Sequence, residues 1–447
     1  MFMIAACAAA IFAGLEFYRC VFRYDNDFLW HRNLGLDFLN DRVYETFAFH
    51  YPPARAMIDA VTAWLPYRVD RALWLVATCA GLAWCVRFWS TIGAAPGRRW
   101  GLPAGIAVAV MGCYIVRDLP ECGLQLFLLC MLSVGLWALL RGRPALCGWS
   151  LGLAAVYKVT PVIFLPYLLW KRQWRAAGWM AAASACFCAL PAVYLGWQKD
   201  VTLHRQWLSF VGYTLSLEDP SENGVEKPVL RNQSFPLMLA RLVQKYPADH
   251  PLYVKSDAFV CLARLEPPQA KNFVRAVLAC MAIALAWRFR QRCDLSDGGI
   301  SLAGEWSAVC ILIAIMSPLC WLQHLVLAIP AALLFAQAAA ARTVMRWQVI
   351  VAGMATGLAL LVHRDLIGVT LCDMLSCYQP HTVAALLIML LVLTLGPCRA
   401  VQEGELPAEI INLPFGLAST GRQVPLPHPG QVEERPDAAA VRWRRAA

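Results

Sequence analysis

Charge is what this sequence has least of. Asp, Glu, Lys and Arg make up 15% of its 447 residues and 60% are apolar, with a mean hydropathy of +0.53. Soluble domains carry roughly 45–50% apolar residues, so a soluble enzyme with a single anchor is excluded. A cleavage signal is also missing. The apolar stretch from Met1 to Phe17 is followed by no A-x-A-like site, and Glu16 interrupts its end, so it reads as an uncleaved first helix. The 18 cysteines lack metal-ligand spacing and mostly lie in apolar runs, where Cys acts as a small hydrophobe. Cys372 and Cys377 share one outside loop, and the sequence leaves their pairing open, with separate thiols the favoured reading. No basic patch explains the net charge of +10. Many of the Lys and Arg residues sit at the ends of apolar runs, which is an orientation signal rather than a nucleic-acid footprint. No clear internal repeat is visible, although transporters often have two similar halves.

What the sequence does have is a series of apolar runs, the longest matching the about 17–25 residues that cross a bilayer as a helix. Spans are expected over residues 72–88, 102–116, 123–140, 176–195, 274–287, 303–316, 325–340, 349–362 and 383–395. Basic ends at Arg98/Arg99, Arg141/Arg143, Arg288/Arg290/Arg292 and Arg342/Arg346 fall on alternate turns and mark one side as cytoplasmic. Residues 143–171 have both ends basic, yet two helices of about 13 residues reach only about 20 Å each. They are therefore expected to form a hairpin of short helices broken around Lys158, Thr160 and Pro161. Residues 54–65 and 232–243 read as surface helices. The whole is an all-α polytopic membrane protein of about 12 helices, ten full spans plus the hairpin, with both termini cytoplasmic. Residues 1–397 form the membrane domain, and residues 398–447, rich in Pro, Glu and Arg, a disordered tail.

This topology places four polar features on the outer face: Asp25 and Asp27 in the first loop, Lys158 at the hairpin tip, Arg231-Asn232-Gln233-Ser234, and the turn from Ser317 to Gln323 and His324. A carboxylate can take a proton from an attacking hydroxyl, and a cation can receive a phosphate leaving group. Fixed charges in a water-poor groove are also less screened. Each feature has a plainer reading. Paired aspartates are usually solvated, Lys158 can snorkel, His324 can be a packing residue, and Tyr51-Pro52-Pro53 can simply start a helix. Their convergence on one side favours a site.

Asp27-Phe28, Val43-Tyr44 and Phe49-His50-Tyr51-Pro52-Pro53 resemble the first outer loop of GT-C glycosyltransferases, in particular bacterial polyprenyl-phosphate-mannose-dependent alpha-mannosyltransferases. Gly123-Leu124-Gln125, Lys158-Val159-Thr160-Pro161, Asn232-Gln233-Ser234 and Ser317-Pro318 through Trp321 to His324 agree in order. The resemblance covers roughly residues 15–400. It departs from the family where the usual His-His is Gln323-His324, and Asp25 leaves two acids to choose from. Asp27 matches better, because it directly precedes Phe28.

The resemblance implies transfer of a hexose, expected to be mannose, from a polyprenyl phosphate to an acceptor hydroxyl on a glycan or glycolipid, by inverting single displacement at the outer face of the cell membrane. Asp27 is then the general base. Lys158 and His324 are expected to receive the departing phosphate, with Arg231 a weaker candidate for that role, and Asp25, Tyr51, Asn232, Gln233 and Gln323 around the substrates. No cofactor beyond the lipid-linked donor and no nucleic acid is implied, and metal dependence stays open, since nothing completes a coordination shell around the acidic pair. The rival readings are a multi-pass lipid or solute transporter and an oligosaccharide-lipid ligase or polymerase.

Overall fold

The computed structural model describes residues 14, 18–22, 26–45, 51–92, 101–217, 219, 231–246, 250, 261–291 and 299–395. The expected first helix (Gly14 apart), Asp25, Phe49, His50, Arg98, Arg99, Arg292 and the 398–447 tail lie outside these residues. Among the described residues the chain is all-α. In order, the helices are α1 (Asn26–Leu39), α2 (Pro53–Ala63), α3 (Tyr67–Ile92), α4 (Gly101–Val110), α5 (Gly112–Asp118), α6 (Leu124–Leu140), α7 (Pro144–Tyr157), α8 (Phe164–Trp170), α9 (Trp174–Ala189) and α10 (Ala192–Leu195). They continue with α11 (Trp197–Ser216), α12 (Phe235–Val243), α13 (Pro267–Arg288), α14 (Ile300–Ile315), α15 (Ile329–Ala340), α16 (Arg346–Leu361), α17 (Arg364–Ile367), α18 (Val369–Ser376) and α19 (Pro380–Leu393).

The core is built around α14, in which every residue but Ser301 is buried. A helix apolar all round belongs inside protein. Trp306 packs against Phe164, their ring centres 4.4 Å apart, and donates its indole N–H to the Leu132 carbonyl at 3.1 Å, so α14 ties the hairpin to α6.

Cross-links between helix ends sort them into two faces. On one, Arg71 donates to the Pro120 carbonyl, Lys158 to Gln125, Asn232 to Pro318 and Gln379 to the Asn232 carbonyl. On the other, Lys171 pairs with Glu305 at 2.8 Å and reaches the Phe289 carbonyl. There too Arg288 donates to Leu393 and Gln348 to Thr394. The second face carries the basic span ends, so the alternation expected from charge is present in the packing.

The hairpin also forms: α7 stops where Lys158 turns extended, a 3-10 turn runs over Thr160–Ile163, and α8 returns to Lys171. Span number is where the expectation and the fold part. Among the described residues, four helices are long and apolar enough to cross a membrane, or six if two bent pairs each count as one span. The expected span 102–116 bends by 65° at Met111, and the helix holding most of the last expected span, α19, follows α18 across a 58° bend ahead of Pro380. At about 1.5 Å per residue, the 16 residues of α14 rise about 24 Å against about 30 Å of hydrocarbon. Apolar runs alone do not reveal these bends and short lengths.

The two expected surface helices pack inward instead. α12 buries Phe235, Leu237, Met238, Ala240, Arg241 and Val243, and α2 buries Arg55 and Asp59. Cys372 and Cys377, whose pairing the sequence leaves open, are two buried thiols with no disulfide between them. They are five residues apart around a helix end, and Cys377 turns its thiol to the Asp373 carbonyl.

Candidate functional site

A cavity of about 560 Å³ opens on the face bearing the hairpin tip. Asp27, Arg231, Gln233 and Gln323 line it, together with Arg117, Trp321, His363, Arg364, Asp373 and His381. Asp27 stands in the first turn of α1, where a carboxylate is favoured by the helix dipole, and it is exposed. The next residue, Phe28, is buried and meets Tyr67 edge-on at 5.8 Å. The acid–aromatic pair thus has a division of labour, the ring anchoring the helix start and the acid left at the cavity.

α1 is fixed by a buried polar cluster that the sequence did not disclose. Arg55 Nε donates to both oxygens of Asp59, at 3.0 and 2.9 Å, and Arg55 also donates to His31 Nδ1 at 3.0 Å. Its guanidinium lies over the Tyr157 ring at 3.8 Å. Burial first, and Arg55 second, lower the His31 pKa below its ordinary 6.5. Tyr51 packs beside this cluster, its carbonyl accepting from Tyr44 at 2.7 Å, and Pro53 opens α2.

Lys158 and His324 are buried and are not among the residues lining the cavity. Lys158 donates to Gln125 Oε1 at 2.9 Å. His324 Nδ1 accepts the Trp321 amide at 3.3 Å, which leaves the proton of a neutral ring on Nε2. Beside them Asp118 accepts the amides of Gln125 and Leu126, at 3.2 and 2.9 Å, capping the start of α6. Gln323, standing where the family's first histidine would be, donates to Glu121 at 2.6 Å.

Asn232 acts as a latch. Its amide donates to the Pro318 carbonyl at 2.8 Å, and its oxygen accepts the Cys320 amide at 2.9 Å and the Ser234 amide at 3.1 Å. Gln379 and Thr382 donate to the carbonyls of Asn232 and Gln233. The 231–234 strip, the 317–324 turn and the start of α19 are thereby joined into one wall. His381 uses both ring nitrogens within the protein, on Tyr114 and the Val362 carbonyl.

Sequence reasoning missed Arg117, Arg364 and Asp373. The available signal was position, since Arg117 and Arg364 stand at the cavity, on the face away from the basic span ends, where the positive-inside bias does not expect them.

A family model, Glycosyltransferase family 87, matches residues 49–304, more than half of the chain. A polyprenol-phosphate-mannose-dependent alpha-(1-2)-phosphatidylinositol mannoside mannosyltransferase from Mycolicibacterium smegmatis (strain ATCC 700084 / mc(2)155) is 26% identical over 326 residues. That alignment takes in 69% of this chain and 64% of the relative, so it spans less than two thirds of the relative's length. No solved structure matches.

Proposed function

Because the chain belongs to glycosyltransferase family 87, we propose that it moves a hexose, mannose by preference, from a polyprenyl phosphate to a hydroxyl of a glycan or glycolipid acceptor. The donor class follows the name of the mycobacterial relative. The observation that carries the reading is one cavity holding the carboxylate of Asp27 together with arginines on its walls. The acceptor oxygen attacks the anomeric carbon while Asp27 takes its proton. The bond from that carbon to the phosphate oxygen breaks with its electron pair, and polyprenyl phosphate departs. One displacement inverts the anomeric centre. Lys158 and His324, one layer behind the wall, support the field of the site rather than touch substrate. The basic helix ends opposite the site support reading the cavity as outer-facing, with the termini on the cytoplasmic side.

The test uses purified full-length protein in liposomes with radiolabelled polyprenyl-phosphate mannose and a panel of mannosides. Asp27→Asn is expected to lower turnover by about 10²–10⁴-fold, the usual worth of a general base, with unchanged thermal stability. A variant turning over at the wild-type rate would remove the base from this position. Equilibration of intact donor across the liposome, with no transfer, would favour a transporter.

A further inference from the structure

Three arginines line the cavity, and their surroundings differ. Arg364 is neutralised by Asp373, with Nη2 and Oδ1 2.6 Å apart. Arg117 and Arg231 are both exposed at the cavity, and neither guanidinium makes a hydrogen bond or ion pair among the described residues. The acids nearest Arg117 in sequence are occupied elsewhere. Asp118 caps α6 through two backbone amides, and Glu121 accepts from Gln323. Arg231 is held at its place by the neighbouring Asn232 latch. The ammonium of Lys158, the residue the sequence pattern favours for this task, is turned to Gln125 instead.

We propose that Arg117 and Arg231 together hold the phosphate of the lipid-linked sugar. This rests on the donor class given above. A guanidinium presents a planar fork that matches two phosphate oxygens, which a lysine ammonium does not. The donor phosphate is a diester with one negative charge, and departure of the sugar leaves a monoester with up to two. Two uncompensated guanidiniums therefore bind the leaving group more strongly as the bond breaks, which is the differential binding that speeds a reaction. The part of the lining where Arg364 is cancelled by Asp373 is left for the uncharged hydroxyls of the sugars.

Binding of polyprenyl monophosphate and of polyprenol to the full-length protein, in zwitterionic lipid vesicles, tests this apart from turnover. Arg117→Gln and Arg231→Gln are each expected to weaken monophosphate binding about ten- to a hundredfold, the range for hydrogen bonds to a charged group, and to leave polyprenol binding unchanged. Arg117→Lys recovers only part of the loss. Arg205→Gln, an exposed arginine of α11 away from the cavity, controls for surface charge and binds as wild type. Unchanged monophosphate binding in both glutamine variants overturns the proposal, as does equal loss of monophosphate and polyprenol binding. Phosphate-dependent binding without any sugar transfer leaves the clamp standing and removes the transferase reading. Absence of phosphate-dependent binding in the wild type removes the clamp, whatever the enzyme transfers.

Discussion

Asn232 shows how a polar residue in a catalytic neighbourhood can serve the wall rather than the chemistry. Its buried side chain makes three hydrogen bonds to backbone groups, two in the 317–324 turn and one in its own strip. Asn232→Ala removes all three and strands the Cys320 amide and Pro318 carbonyl, a loss on the order of 2–4 kcal/mol. Thermal unfolding in detergent should register it as a lowered midpoint. His31 offers a second measurement at this scale. Burial and Arg55 lower its folded-state pKa, so the unfolded chain binds its proton more readily. The stability it contributes is fully present above the unfolded value of about 6.5 and is lost as the pH falls from there toward the folded value. The slope cannot exceed about 1.4 kcal/mol per pH unit for a single group. His31→Gln cannot titrate, so the wild type should lose more of its unfolding midpoint than this variant between neutral pH and mild acid.

At the scale of helices, periodicity located the elements but did not always say which face turns inward. The hairpin was legible because basic ends, chain length and Pro161 jointly leave no other path across residues 143–171. α2 was misjudged, because its charged residues suit a solvated stripe as well as a buried one. What decides is α1, which crosses α2 at Gly35. A Cβ there would come within 2.6 Å of the Asp59 backbone carbon and 2.7 Å of the Ala60 nitrogen. That close approach brings His31 to Arg55 and Asp59, and nothing in the spacing of residues 54–65 announces it. Asp27 rides on the same helix. Gly35→Val should therefore push α1 off α2, costing about 1–3 kcal/mol of stability as overpacking does and lowering kcat/KM because the acid shifts at the cavity. Thermal unfolding and a donor titration on one preparation will separate the two effects. Arg117, by contrast, was legible in principle as an arginine on the less basic side of the membrane. What one chain does not show is which such cations are already paired, as Arg364 is and Arg117 is not.

For the molecule as a whole, the chemistry depends on which leaflet the cavity serves. The helix ends divide cleanly, with Arg141, Arg143, Lys171, Arg288 and Arg346 bordering one face and the cavity on the other. Cation–π contacts of Arg290 over Trp287 at 4.1 Å and Arg141 over Trp137 at 4.9 Å place indoles beside those charges, as at a membrane–water boundary. Lys and Arg are retained on the cytoplasmic side during insertion, and the outward-facing cavity proposed above carries a prediction that staining can check. An epitope inserted between residues 220 and 230, just ahead of Arg231, should be stained by antibody on intact spheroplasts. The same epitope beside Arg342, in the turn joining α15 to α16, should be stained only after permeabilisation. Transfer activity can be checked in the same cells. The reverse staining pattern would put Asp27 and the arginines in the cytoplasm. A phosphate clamp would survive that inversion as chemistry, but the acceptor would then have to be sought among inner-leaflet lipids.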